Sequence, residues 1–244
     1  MVAQVESEGL TSDEHFTVDG TLLEAWAGQK SFEAKAGKPA PPPRMILASR
    51  RGTFAAHESK SDPEAQMARK SEVKESKLSY SGNLLMKNRY GLIVQAEVFV
   101  ASGTAERDAA PVMLERIPGG KPVTLGGDKG FETRDFVVEC RHTGVTPHAA
   151  QNLGRRGGRV IDGRTTQHPD YRLSQKKRKR IEQCFGWLKT VALPRKVHHR
   201  GVWKVDWIFT FACPSCNLVR MWNLARSGSG GVSSGQSMPQ AARS

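Results

Sequence analysis

The stretch Pro122-Val123-Thr124-Leu125-Gly126-Gly127-Asp128 reads as a short buried β-strand that delivers a carboxylate at its carboxyl end. A brief apolar run bounded by turn residues fits a strand covered on both faces, and open α/β sheets bind ligands beyond the carboxyl ends of such strands. Downstream, residues 133–142 predict a short helix closed by Gly144, and 145–148 a last strand. Upstream, residues 77–80 and 92–100 read as a β-hairpin around the turn 88–91, with Leu92, Val94, Ala96, Val98 and Val100 expected on one face. Thr104 is placed to cap a helix reaching about Ile117, which Pro111 fits poorly.

Further out, His15-Phe16-Thr17-Val18 is a short first strand running into Asp19-Gly20. The clearest helix covers about 174–191, where Ile181, Cys184, Phe185 and Leu188 repeat at helical spacing. A second apolar helix is expected over about 205–224. Strand, hairpin, helix, strand, helix, strand and helix in this order predict a mixed α/β domain.

With 244 residues, 37 Lys and Arg against 24 Asp and Glu, a net charge of +13 and a pI near 9.9, the chain is expected to hold one main domain with a polyanionic partner. Nucleic acid is the candidate. No long apolar run or signal peptide marks a membrane, so a cytoplasmic protein with no membrane partner is expected. The four cysteines, Cys140, Cys184, Cys213 and Cys216, read as reduced thiols. The CPSC pair at 213–216 lacks a second well-spaced pair for zinc, and Pro214 is expected to interrupt an apolar helix in which both thiols act as small hydrophobes. Residues 32–57, with PAPPPR, and the Ser/Gly-rich tail 227–244 lack core-forming character.

Breaking a phosphodiester calls for two hard cations about 4 Å apart, one activating the attacking oxygen and one stabilising the leaving oxygen. Three carboxylates from separate elements suffice to hold magnesium, which keeps several waters. Asp19, Asp128 and Glu182 are the candidates. Each also has an ordinary structural reading: a turn at Asp19-Gly20, a turn in GGDKG, and a helical pair of Glu182 with Arg178. On a helix, Gln175, Arg178, Glu182 and Lys189 fall within about 60° of one another, which puts cations beside the carboxylate for phosphate contacts. The run Lys176-Lys177-Arg178-Lys179-Arg180 circles the helix start, so part of it supplies general attraction.

FTVDGTLLEAWAGQKSF, ASGTAERDAA with TLGGDKGFETRDFV, and RKRIEQCFGWLKTV resemble the three acidic blocks of the DDE transposases of bacterial insertion sequences, particularly the insertion-sequence-five group, related to the insertion-sequence-four group. DPEAQMARK, VTPHAAQN, IDGRTTQHPDY and NLVRMWNL extend the resemblance over roughly 12–225. It implies an RNase H-like mixed sheet flanked by helices and metal-dependent DNA cleavage and strand transfer. The implied metal-binding catalytic triad is Asp19, Asp128 and Glu182, on two Mg2+ ions with Mn2+ as a possible substitute. Arg178, Glu182 and Lys189 match the related Tyr-Arg-Glu-Lys signature, with Gln175 in place of the tyrosine. Arg178, Lys189, Lys129, Lys176, Lys177 and Arg180 are the implied DNA phosphate contacts. The implied partners are element ends, target DNA and further copies of the chain in a synaptic complex, with the protein at the bacterial nucleoid.

The resemblance also implies a domain plan: an N-terminal remnant at 1–14, a catalytic domain at 15–226 with an irregular Pro-rich insertion around 33–57, and a disordered tail at 227–244. Family members usually carry a further helical N-terminal region for end recognition, whereas Asp19 here follows only eighteen residues. PPPRMILASRRGTFAAHE departs from the family pattern, as a local frameshift or a decaying copy would. An inactive DNA-binding remnant and an RNase H-like nuclease without strand transfer are the rival readings.

Overall fold

The computed structural model describes residues 15–34, 57–70, 73–117, 123–152, 154, 160–193 and 196–228. Its first strand, β1 (His15–Ala25), is eleven residues long and carries Asp19 mid-strand, where a short strand ending in a turn was expected. The extension has a physical cause: Phe16 to Glu24 pair antiparallel with Ser79 to Lys87 of β5 (Lys77–Lys87), so neighbouring backbone overrides the local Asp-Gly turn preference. Two short strands, β2 (Phe32–Ala34) and β3 (His57–Ser59), pair with each other, so the ends of the supposedly irregular segment are ordered. The rest of that segment, including the Pro-rich run, lies outside the described residues, as do 1–14 and 229–244.

The hairpin forms as expected from β5 (Lys77–Lys87) and β6 (Leu92–Val100), with Gly91 in the left-handed region at φ 72°. A short strand, β4 (Gln66–Ala68), pairs with the start of β5. The single apolar face expected for β6 does not hold: a register irregularity at Leu85/Met86 breaks the alternation. Ile93, Ala96 and Val98 pack on one side of the sheet and Val94 and Phe99 on the other. Helix α1 (Ala105–Glu115) follows, with Pro111 inside it. Strand β7 (Val123–Gly127), helix α2 (Arg134–His142) and strand β8 (Val145–Ala149) match the sequence reading. The Thr133 hydroxyl caps α2 by accepting from the Phe136 amide.

The helix expected over 174–191 starts earlier and is segmented. A short α3 (Gly163–Gln167) leads to α4 (Pro169–Lys177), α5 (Lys179–Trp187) and a π-helical turn over Leu188–Ala192. Its apolar stripe is buried throughout, at Ile181, Cys184, Phe185 and Leu188. After β9 (Lys196–Val197), the last helix, α6 (Val202–Gly228), runs unbroken through Pro214. Packing of Val205, Phe209, Cys213 and Cys216 against the sheet outweighs the proline, and both CPSC thiols are buried among apolar side chains. Ser227 and Gly228, expected in the tail, belong to this helix.

Across the main sheet the order is β6, β5, β1, β7, β8, with β4 beside β5 and β9 beside β1. The first three strands are antiparallel, and β7 and β8 run parallel to β1. Two cores result. One, around Phe16, Val18, Leu125, Phe131 and Met113, joins the sheet to α1 and α2. The other, around Leu23, Tyr80, Leu84, Phe185 and Phe209, joins it to α5 and α6. This helix, sheet, helix sandwich is the α/β architecture the sequence predicted.

Helix α6 also borders the edge strand. The Asn217 side chain accepts from the Ile93 amide at 2.9 Å and donates to the Ile93 carbonyl at 2.7 Å, while Asp206 accepts from the Val98 amide at 2.7 Å. Asn217→Ala leaves a buried amide and carbonyl unpaired and is expected to cost ~2–4 kcal/mol. Thermal unfolding checks this: a fall in Tm of roughly 5–15 °C is expected for a domain of this size, and an unchanged Tm would mean water replaces the side chain.

Candidate active site

The parallel ladder between β1 and β7 ends at Thr17 opposite Gly126. Two residues further along stand Asp19, still within β1, and Asp128, just past the end of β7, brought to the same end of the ladder by that register. Beyond Thr17, β1 meets β9 only at Glu24. The intervening stretch opens the sheet where β7 has ended, and α5 packs across it.

Four carboxylates share this opening. Asp19 is half-buried, and its own Oδ1 accepts from the Gly20 amide at 2.9 Å. Burial first, and then the negative charges of Glu106, Asp128 and Glu182, push its pKa up to about 7 despite that hydrogen bond. Asp128 Oδ1 accepts from the Gly130 amide at 2.6 Å, capping the short turn Lys129–Phe131 that fixes its direction. Glu182 is exposed on α5. The structure thus brings together the three residues the sequence singled out.

It adds a fourth that sequence reasoning missed. Glu106 stands in the first turn of α1, half-buried, with its pKa raised by burial and by Asp128. It crosses directly over Gly20: a Cβ built there would lie 2.3 Å from Glu106 Cγ and 2.8 Å from Asn83 Oδ1. The only signal in the sequence was Glu106 itself, an acidic residue in the first turn of the helix after β6, a strand separated from β1 by β5.

The basic residues divide. Lys189 donates to Thr21 Oγ1 at 2.6 Å and to the Leu22 carbonyl at 2.8 Å, so its ammonium ties the end of the helix to the open stretch of β1. Burial and nearby Lys70 hold its pKa below the usual lysine value. Arg180 donates to the Asn88 and Arg89 carbonyls at the hairpin turn. Gln175 donates to the His148 carbonyl and accepts from Arg178 Nε at 3.1 Å, so it docks α4 on β8 and orients the arginine. Lys129 and Lys176 are exposed, and Lys177 is half-exposed.

Carboxylate oxygens are hard donors, suited to magnesium or manganese rather than to a soft metal. The crowding that raises the Asp19 pKa is what a bound cation would relieve. Among the described residues, no three His, Cys, Asp or Glu side chains already stand at metal-ligand spacing, so the carboxylates form a shared negative field rather than a closed shell. No helix of the described residues is long and apolar enough to cross a membrane.

A profile of the family described as the transposase DDE domain matches residues 12–212. Among solved structures, the chain is similar to a piggyBac transposase determined in a synaptic complex with hairpin DNA, at 9% identity and a TM-score of 0.50. That likeness covers 92% of this chain and 50% of the other, so the chain spans about half the length of that transposase. It shows a shared fold, consistent with the RNase H-like arrangement that the family resemblance implied. No curated protein matches the sequence significantly.

Proposed function

The chain belongs to the transposase DDE domain family, and from that premise we propose that it cleaves DNA at the ends of an insertion element and joins the freed 3′-hydroxyls to target DNA. The observation that carries this reading is the convergence of Asp19, Asp128 and Glu182 where β1 and β7 part. Enzymes of this family use divalent metal ions. The finer proposal is two Mg2+ ions, with Mn2+ as a substitute, held by those three carboxylates. Bound there, they would supply an activated attacking oxygen and neutralise charge on the leaving oxygen.

The chain's own residues do the rest. Half-buried Asp19 sits at the floor of the opening and exposed Glu182 at its rim, so the site closes on a phosphate only from the solvent side. Glu106 restrains Asp19 by covering Gly20. Lys129, Lys176, Lys177 and Arg178 supply cations for phosphate oxygens around the cut. Lys189 and Arg180, through the contacts already described, hold helix and hairpin in register with the carboxylates; a phosphate replacing their present partners would add contact. Residues 15–226 form the catalytic unit, working on DNA at the nucleoid as copies of the chain in a synaptic complex.

Gly20→Ala forces Glu106 away from its place and is expected to lower joining by roughly 10- to 100-fold, the cost of a displacement near 1 Å at a reacting centre. Glu106→Gln reports the charge alone. Unchanged joining in both would remove Glu106 from the site.

The function is tested by incubating the protein with a pre-cleaved element-end duplex and a plasmid target in Mg2+ or Mn2+, beside a chelator control. Joined product that needs the cation supports the reading. Nicking without joining would identify a nuclease, and binding with neither would identify an inactive DNA-binding remnant.

A further inference from the structure

Helix α6 hides one face and exposes the other. Val205, Phe209, Ala212, Cys213 and Cys216 are buried against the sheet, while Trp203, Trp207, Phe211, Leu218 and Trp222 are 55–77% exposed. At about 100° per residue, these five and Pro214 fall within about 100° of the helix circumference, forming one stripe. Trp207 and Phe211 stack with centroids 5.5 Å apart and planes only 10° from parallel, which makes its middle flat.

The order of residues along the stripe is symmetric. Counting outward from a point midway between Ala212 and Cys213, Phe211 and Pro214 stand at equal distances, then Trp207 and Leu218, then Trp203 and Trp222. A helix laid antiparallel on this one about that midpoint would set each member against its mate. The bordering cation Lys204 would then face Met221 rather than another lysine. Self-complementarity of this kind is the requirement of an isologous two-fold interface.

We propose that α6 pairs antiparallel with α6 of a second copy of this chain, with the two-fold axis passing beside Phe211 and Pro214. The four exposed rings alone offer on the order of 500 Å² per copy, given that each such ring buries about 150–250 Å² when covered. That lies near the upper end of the largest patch on an ordinary monomer, ~300–600 Å², and supplies most of the ~800 Å² that one partner gives to a standard interface. The pairing uses the face of α6 turned away from the sheet and does not depend on the catalytic reading.

Two experiments on the full chain test it. Sedimentation should give a dimer, twice the 26.8 kDa of the chain. The double variant Trp207→Glu, Phe211→Glu should weaken dimerisation at least roughly 100-fold, since truncating or charging central aromatic anchors costs the most. A monomeric wild type, or a dimer indifferent to both substitutions, would overturn the proposal. The second uses single-cysteine additions. Trp203→Cys and Trp222→Cys chains should form an intermolecular disulfide when mixed and little when kept apart, because like positions would lie about 28 Å apart along the antiparallel pair. Crosslinking of either variant with itself would mean a parallel or unrelated contact and would refute the arrangement.

Discussion

Asp19→Asn is expected to abolish cleavage and joining, by at least ~10³-fold, the scale on which removal of a preorganised charged group from a reacting centre is felt, and yet to stabilise the cation-free fold. The two effects have one cause. The carboxyl is pushed up to about 7 by burial and by three neighbouring carboxylates, whereas an unfolded aspartate titrates near 4. A carboxyl raised in the folded state makes the fold bind more protons than the unfolded chain between those two values, so stability falls as pH rises through that window. Below pH 4 the group costs nothing, and above about 7 its full cost is present. The shift sets an upper bound of about 4 kcal/mol. In a chelator, wild type should therefore melt at a lower temperature at pH 8 than at pH 5.5, and Asp19→Asn should remove much of that difference while raising Tm at pH 8. Divalent cation should restore wild type at pH 8 and do less for the variant. Equal melting of the two proteins at both pH values would contradict a crowded Asp19.

Glu182→Gln should lose joining to a similar degree, at least ~10³-fold, with little of the stabilisation, since its charge is the smallest of the contributions that raise the Asp19 pKa. Its side chain is exposed on α5, where a charge is solvated and its removal changes stability by only a few tenths of a kcal/mol. Binding of the element-end duplex should stay within about threefold of wild type, because the cations of α4 and α5 remain. Electrophoretic mobility shifts beside joining assays separate the two quantities. A variant that joins at wild-type rate would exclude Glu182 from the triad, and one that fails to bind would reassign it to DNA contact.

Much of this was legible in the chain. Asp128 follows a glycine-rich apolar run that the backbone realises as β7, and the stripe Ile181, Cys184, Phe185, Leu188 is buried as its spacing requires. The missed features share a cause in pairing and packing at long range. Asp19 lies mid-strand because β5, some sixty residues away in sequence, pairs along all of β1. Glu106 joins the site because α1 folds back over Gly20, a contact no local pattern encodes. Pro214 read as a breaker, yet its helix holds because the sheet buries one side of it. Lys189 kept its place on the helix face but gained partners in β1 that leave less of its charge for a phosphate.

The cover that α6 places over β6 reaches beyond the helix itself. Edge strands present unpaired amides and carbonyls that recruit any passing strand, the common start of runaway aggregation. Here Asn217 and Asp206 occupy those groups at Ile93 and Val98, so β-augmentation from that side is blocked. Copies of the chain that meet there must do so through side chains rather than by growing a continuous sheet. A contact of that kind closes after a fixed number of copies, whereas an open edge does not, and a nick that frees α6 would convert the first behaviour into the second.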